Sequence, residues 1–182
     1  LNVYRPCDTI ETAECWALAL QTPETPSVLA LSRQGLPQMR GQGDETWSAA
    51  GSRSAKGAYL LRGAKAARKV VIVATGSEVA LAAECAEQLE SSDIGCDVVS
   101  MPSMELFESQ SDEYREGLFP DNTLVVSIEA GSTLGWERYT GRNGLNIGID
   151  RFGASAPAGD LFEKFGFTAD QIVPQITSKL NS

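Results

Sequence analysis

The run from Lys69 to Met101, KVVIVATGSEVALAAECAEQLESSDIGCDVVSM, decides the fold class. Its opening KVVIVAT, Lys69 to Thr75, is rich in the β-branched residues that favour a pleated, buried strand. Gly76 supplies the turn, and Ser77 stands where an N-cap is expected before a helix from Glu78 to Leu89. On that helix Val79, Ala82, Ala83, Ala86 and Leu89 recur at a spacing that turns them inward, with Glu84, Glu87 and Glu90 outward. A second strand, Cys96 to Met101, follows at once. Strand, helix and strand in this order predict parallel pairing with a right-handed crossover. With a further strand over Thr123–Ile128, TLVVSI, the expected class is α/β: an open, mostly parallel sheet with helices on both faces.

The same glycine turn, TGSE, is where phosphates often meet a helix N-terminus. Neither a full G-x-G-x-x-G nor a P-loop pattern is present, and Glu78 would put a negative charge where a phosphate would sit. A helix start with Glu78 in its first turn is the expectation, and no nucleotide site is assigned. Downstream, Ser103 begins a helical region through Phe119 that breaks near Ser109–Ser111. Glu129 falls at the carboxyl edge of the parallel sheet, where such folds place ligands. Without a histidine, lysine or metal motif beside it in sequence, a hydrogen-bonded structural carboxylate is expected. Gly148 in LNIGID, Gly153 and Gly159 are expected at close backbone approaches. A helix over 157–164, a stop at Gly166 and a last helix capped by Thr168 should bring Phe162, Phe165 and Phe167 over the core. Pro174 lies too deep in that last helix for its tolerated first turn, predicting a kink or an interruption.

Upstream, LNVYRPCD reads as the end of a buried strand, and a further portion of protein is expected before it. Asp8 or Thr9 caps a helix over Ile10–Leu20, Asp8 and Glu11 standing at capping-box spacing. Ala13, Trp16, Ala17 and Leu20 form its expected buried face. Pro23 and Pro26 break the chain before a strand over Val28–Leu31 that ends in Ser32 and Arg33. This strand, helix and strand are too little for a domain. From Gly35 to Gly57 the composition turns to Gly, Gln, Ser, Asp and Lys, an interdomain linker that Trp47 would pin to a domain surface.

The 182 residues carry 42% apolar and 21% charged side chains, enough for a globular core. A net charge of −9 with no long basic run argues against nucleic acid or an acidic membrane as partner. Lys65, Arg68 and Lys69 read as a solvated approach to a strand. No apolar run approaches the roughly 20 residues that cross a bilayer. A soluble, cytoplasmic protein is expected, with a plastid as the alternative for a photosynthetic eukaryote. Cys7, Cys15, Cys85 and Cys96 are scattered without a C-x-x-C pair, and the chain has no histidine. Buried free thiols are expected rather than a zinc or Cys-His site. The missing histidine also excludes a Ser-His-Asp hydrolase.

Six segments then share one resemblance: RPCD (Arg5–Asp8), LSRQGLP (Leu31–Pro37), ATGSEV (Ala74–Val79), VVSMPSMELF (Val98–Phe107), EAGSTLGW (Glu129–Trp136) and IGIDRFGASAP (Ile147–Pro157). In order and spacing they resemble the C-terminal portion of transketolase, and together they cover nearly the whole chain. Related thiamine enzymes such as deoxyxylulose-phosphate synthase are less similar in these segments. The resemblance implies residues 1–40 as the end of a pyrimidine-binding domain, 41–57 as a linker and 58–182 as the C-terminal domain.

It also implies transfer of a two-carbon ketol unit between sugar phosphates by a full-length homodimer. The implied cofactors are thiamine diphosphate and a divalent cation, Mg or Ca, held by motifs upstream of Leu1, so this portion alone is expected to bind neither and to be inactive. Arg33, in SRQ, matches an arginine that binds the sugar-phosphate group, and a guanidinium fork suits phosphate oxygens. Two other readings stay open: a stand-alone binding or assembly module, and a small enzyme using Glu129 and Asp150 as paired carboxylates.

Overall fold

The continuous apolar run Val70–Ala74 organises the molecule, whose computed structural model describes residues 1–41 and 51–182. In strand β4 (Arg68–Ala74) side chains alternate between faces. Val70, Ile72 and Ala74 enter one core with helices α2 (Glu78–Glu90) and α7 (Ala169–Leu180). Val71 and Val73 enter a second core, floored by Phe107, Trp136 and Tyr139 of α3 (Met104–Glu108), α5 (Glu137–Thr140) and the turn before it. Helices therefore cover both faces, as expected.

The five-stranded sheet has the order β3-β5-β4-β6-β7, with β3 Tyr59–Arg62, β5 Gly95–Ser100, β6 Leu124–Ile128 and β7 Leu145–Ile147. β4 pairs in parallel with β5 and β6, and β6 with β7. β3 lies antiparallel on the outside of β5. This edge strand escapes sequence reading because its four residues, close to Gly57 and Gly63, are too short to show a period. Ahead of the sheet, β1 (Asn2–Tyr4) and β2 (Ser27–Leu29) form a separate parallel pair joined through α1 (Thr9–Gln21). The expected break in the acidic helical region separates α3 from α4 (Asp112–Leu118).

Several local expectations change. The predicted inner face of α1 is turned outward: Trp16 is 51% exposed and Leu20 75%. Glu11, Glu14 and Cys15 are buried in its place. Their bonding partners lie far along the chain, so no local pattern announces the rotation. Ser77 has helical backbone angles and makes no capping bond, its hydroxyl donating to Glu78 Oε1 at 2.6 Å. Glu78 stands in the first turn, as expected, and is buried there. Cys85 and Leu81 join the inner face of α2, while Ala83 is only half-buried.

Towards the C-terminus, α6 (Ala158–Phe165) stops at Gly166, and Phe167 is buried with its ring edge-on to Phe162. α7 runs through Pro174 without interruption. A Cβ on Gly148 would lie 2.6 Å from Thr133, the close approach expected, whereas Gly153 and Gly159 have open space around them in an exposed segment. All four cysteines are free and buried. No helix among the described residues is long and apolar enough to cross a membrane. Trp47 lies outside the described residues.

Gly57 closes a short 3-10 turn (Arg53–Lys56) at φ +76°, and Ser103 N donates to its carbonyl at 3.0 Å. A Cβ there would lie 2.1 Å from Phe107 N and 2.4 Å from Ser103 O. Gly57→Ala combines a disfavoured backbone conformation with a clash against backbone. It should lower stability by about 3 kcal/mol, read from the urea midpoint. An unchanged midpoint would show that α3 moves aside at no cost.

Candidate functional site

In open parallel sheets the crevice outside the carboxyl ends of the strands, where strand order reverses, is the usual ligand position. Here strand order reverses at β4, and the crevice is filled by the chain itself. Arg5 N donates to Pro102 O just past β5 at 2.8 Å, while Arg5 O accepts from Gly76 N at 3.0 Å and Thr75 Oγ1 at 3.3 Å. The Arg5 guanidinium pairs with Glu129 at the end of β6, whose other oxygen accepts from the indole N–H of Trp136. Glu129 is thus the structural carboxylate the sequence suggested. Cys7 follows into the core.

Behind this plug, α1 sends two carboxylates into the junction. Glu11, 0% exposed, accepts from Tyr59 Oη at 2.7 Å, Ser100 Oγ at 2.5 Å and Cys7 N at 2.6 Å. Burial pushes its carboxyl above the ordinary value, and these donors only partly offset that. Glu14 meets Arg40 through two parallel bonds of 2.8 and 2.7 Å, and Ser54 adds its hydroxyl at 2.6 Å and its N–H at 3.2 Å. Burial acts to raise Glu14 as well, but bonds from Arg40 and Ser54 outweigh it and hold the carboxyl below its ordinary range. Arg40 also lies over the Tyr59 ring, 5.5 Å from its centre. Sequence reading missed Glu14, Arg40 and Tyr59. The one local signal was the spacing of Glu11 and Glu14, which puts both on a single helical face.

Arg33 stands apart from this network. It is exposed in the segment after β2, and no hydrogen bond or ion pair to it exists among the described residues. The neighbouring Ser32 hydroxyl donates to Gln34 O at 2.8 Å, folding the turn that presents it. A shallow cleft of about 270 Å³ lies beside the turn, lined by Pro6, Leu31, Ser32, Gln34 and Leu36 among others. A larger cavity of about 730 Å³ sits at the opposite end of the sheet, where Arg115 and Arg138 both pair with Glu108.

Glu129 and Asp150 do not form a catalytic pair. Asp150 accepts from Thr133 Oγ1 at 2.7 Å, Thr133 N at 2.9 Å and Ser132 Oγ at 3.1 Å, and shares no partner with Glu129. The Thr133 bonds hold its carboxyl below the ordinary range. Among the described residues no group of three or more His, Cys, Asp or Glu could hold a metal ion. With the crevice filled by Arg5, these residues do not fit a metal-bound diphosphate.

A family model described as the transketolase-like C-terminal domain matches residues 57–168. The transketolase of Sinorhizobium medicae is 50% identical over 177 residues, which cover 96% of this chain and 24% of that protein. A chloroplastic transketolase of Craterostigma plantagineum is 46% identical over 174 residues, covering 94% of this chain and 32% of that protein. Among solved structures, a Pichia stipitis transketolase in complex with sedoheptulose-7-phosphate superposes with a TM-score of 0.87 at 36% identity, covering 99% of this chain and 25% of that one. The chain spans about a quarter to a third of the length of these relatives.

Two outcomes test the junction. Arg40→Met takes the guanidinium from a buried Glu14, which keeps its bonds from Ser54, and should cost about 3–5 kcal/mol, with Glu14→Gln added to it restoring much of the loss. Equal stability of the single and double variants would sink this account. The pH dependence has a definite sign because Glu14 is depressed on folding. Its contribution is complete above the unfolded value of about 4.3 and is lost as pH falls through the lower folded value. Glu11, raised, acts oppositely: it favours folding at low pH and loses that contribution as pH rises through its folded value. Urea unfolding from pH 3 to 6 should show Glu14→Gln flattening the acid loss; an acid limb identical to wild type would contradict it.

Proposed function

The chain belongs to the transketolase family as its C-terminal part, and from that premise we propose that it completes a full-length homodimeric enzyme transferring a two-carbon ketol unit from a ketose phosphate to an aldose phosphate. Within it, Arg33 binds the substrate phosphate. The observation that carries this assignment is the state of Arg33: exposed at a strand end, with no protein partner among the described residues, its fork is available to phosphate oxygens. The match to the family's SRQ segment and the sugar-phosphate complex of the Pichia stipitis relative support the same reading.

Carbanion chemistry in this enzyme belongs to thiamine diphosphate with a divalent cation, held outside this chain. The residues described here do other work. Arg5, Glu11 and Glu14 weld the β1-α1-β2 unit to the five-stranded sheet, so that the Arg33 segment keeps its place relative to whatever completes that unit. Residues 1–40 are assigned to the pyrimidine-binding domain, 41–57 to a linker and 58–182 to the C-terminal domain. The proposed compartment is the cytoplasm, or the plastid in a photosynthetic eukaryote.

Arg33→Ala in the full-length enzyme should lower kcat/KM for sedoheptulose 7-phosphate by roughly 10- to 100-fold, the range for losing hydrogen bonds to a charged group. The same variant should leave unphosphorylated sedoheptulose nearly unaffected. Equal losses on both substrates would remove the phosphate role.

A further inference from the structure

The Asp8 carboxylate accepts four hydrogen bonds, one on Oδ1 and three on Oδ2. Oδ1 takes the backbone N–H of Glu11 at 2.8 Å and so caps α1. Oδ2 takes three donors from a distant stretch: Gln38 Nε2 at 2.9 Å, Met39 N at 3.2 Å and Arg40 N at 3.2 Å. Three donors share the two lone-pair sites of Oδ2, and the two backbone N–H bonds at 3.2 Å are the longer ones. The side chain is 5% exposed, so these bonds are shielded from competing water.

The three donors on Oδ2 mark the far end of the segment that presents Arg33. At the near end, Ala30 N donates to Tyr4 O at 2.8 Å, prolonging the pairing of β1 with β2. Residues 31–37 therefore leave one fixed point and return to another, and both fixed points belong to the β1-α1 stretch. Between them the Ser32 to Gln34 bond is the one side-chain bond within the turn among the described residues. A guanidinium on such a span is placed by its ends; at the far end Asp8 holds the backbone of Met39 and Arg40 and the Gln38 side chain, while Glu14 holds only the Arg40 side chain beyond them.

We propose that Asp8 is a positioning residue for substrate-phosphate binding, acting through Arg33 by anchoring the Gln38–Arg40 end of its loop while capping α1. This rests on the phosphate reading of Arg33. An asparagine at position 8 keeps cap chemistry but offers a single acceptor oxygen, so it cannot hold both the helix N-terminus and the loop. A loop whose backbone anchor is loosened at that end, with Arg40 still paired to Glu14, shifts the cation relative to the phosphate, and a misplacement of about an ångström costs on the order of 10- to 100-fold.

The test uses the full-length enzyme with sedoheptulose 7-phosphate and sedoheptulose, comparing wild type, D8N, R33A and D8N/R33A. D8N should raise KM for the phosphorylated ketose about tenfold, with kcat within about twofold and the unphosphorylated KM unchanged. Adding D8N to R33A should produce no further change in the ratio of the two KM values. Thr12→Val, which removes a 2.7 Å bond to the Asp8 carbonyl at the same helix end, should lower Tm without moving that ratio.

If D8N fails to fold, Gln38→Ala removes one loop anchor alone and should shift the ratio in the same direction, by a smaller factor. Equal losses of kcat on both substrates in D8N, or in Gln38→Ala where that variant replaces it, would make Asp8 a merely structural cap and overturn the inference, as would an unchanged ratio. So would an equal D8N effect with and without Arg33. An R33A enzyme with an unchanged ratio instead overturns the phosphate reading itself, and the inference with it.

Discussion

The backbone of Arg5 bonds on both sides into the carboxyl ends of β4 and β5, and this contact determines how the two parts of the chain meet. Carboxyl ends of parallel strands expose backbone groups that need partners. In ligand-binding sheets a phosphate or substrate supplies some of them. Here a peptide supplies them, and its guanidinium neutralises Glu129 at the third strand end. Once Arg5 is seated, Cys7 is drawn into the core below and Asp8 is fixed at the start of α1. The helix then has little rotational freedom, because Glu11 must reach Tyr59 and Ser100 while Glu14 reaches Arg40 and Ser54.

The two buried carboxylates show how similar burial gives opposite electrostatics. Glu14 has a full guanidinium across two short bonds, so its charge is matched. Glu11 has only neutral donors, two hydroxyls and one N–H, and burial dominates. Removing one partner of the matched pair leaves an uncompensated charge, which is costlier than never having built the pair. This makes the junction specific in geometry without making it a large source of net stability.

The doubly covered sheet could be read from the sequence because its signal is local. Val70–Ala74 is a continuous run of β-branched and small apolar residues, and α2 and α7 carry their own apolar faces. The orientation of α1 could not, because that helix has two candidate inner faces. Ala13, Trp16, Ala17 and Leu20 satisfy the apolar rule, yet Glu11 and Glu14 go inside. Apart from Cys7 N, their donors lie roughly 25 to 90 residues away in sequence, beyond the window of one helix. Ser77 failed as a cap because its backbone is already helical, which leaves its oxygen out of place to accept from the first-turn N–H groups, and its hydroxyl donates to Glu78. Arg33 was legible only through resemblance, since a lone exposed arginine has no distinguishing pattern of its own.

Filling the crevice also separates this domain's topology from its chemistry. A sheet that reverses its order at β4 has the geometry of a binding fold, but its position for a ligand is taken by an internal segment. Chemistry contributed by this chain then has to come from surfaces that the junction holds in place, not from the sheet itself. The segment after β2 qualifies, because one end is tied to β1 and the other to Asp8 and, through Arg40, to Glu14. Ser54 donates to Glu14 from the other side, and Tyr59 and Ser100 of the five-stranded sheet donate to Glu11 on the same helix. A disturbance at Ser100 can therefore reach Arg33 by tilting α1, with Asp8 at its first turn turning that tilt into movement of the loop, and one at Tyr59 also through Arg40, which lies over its ring.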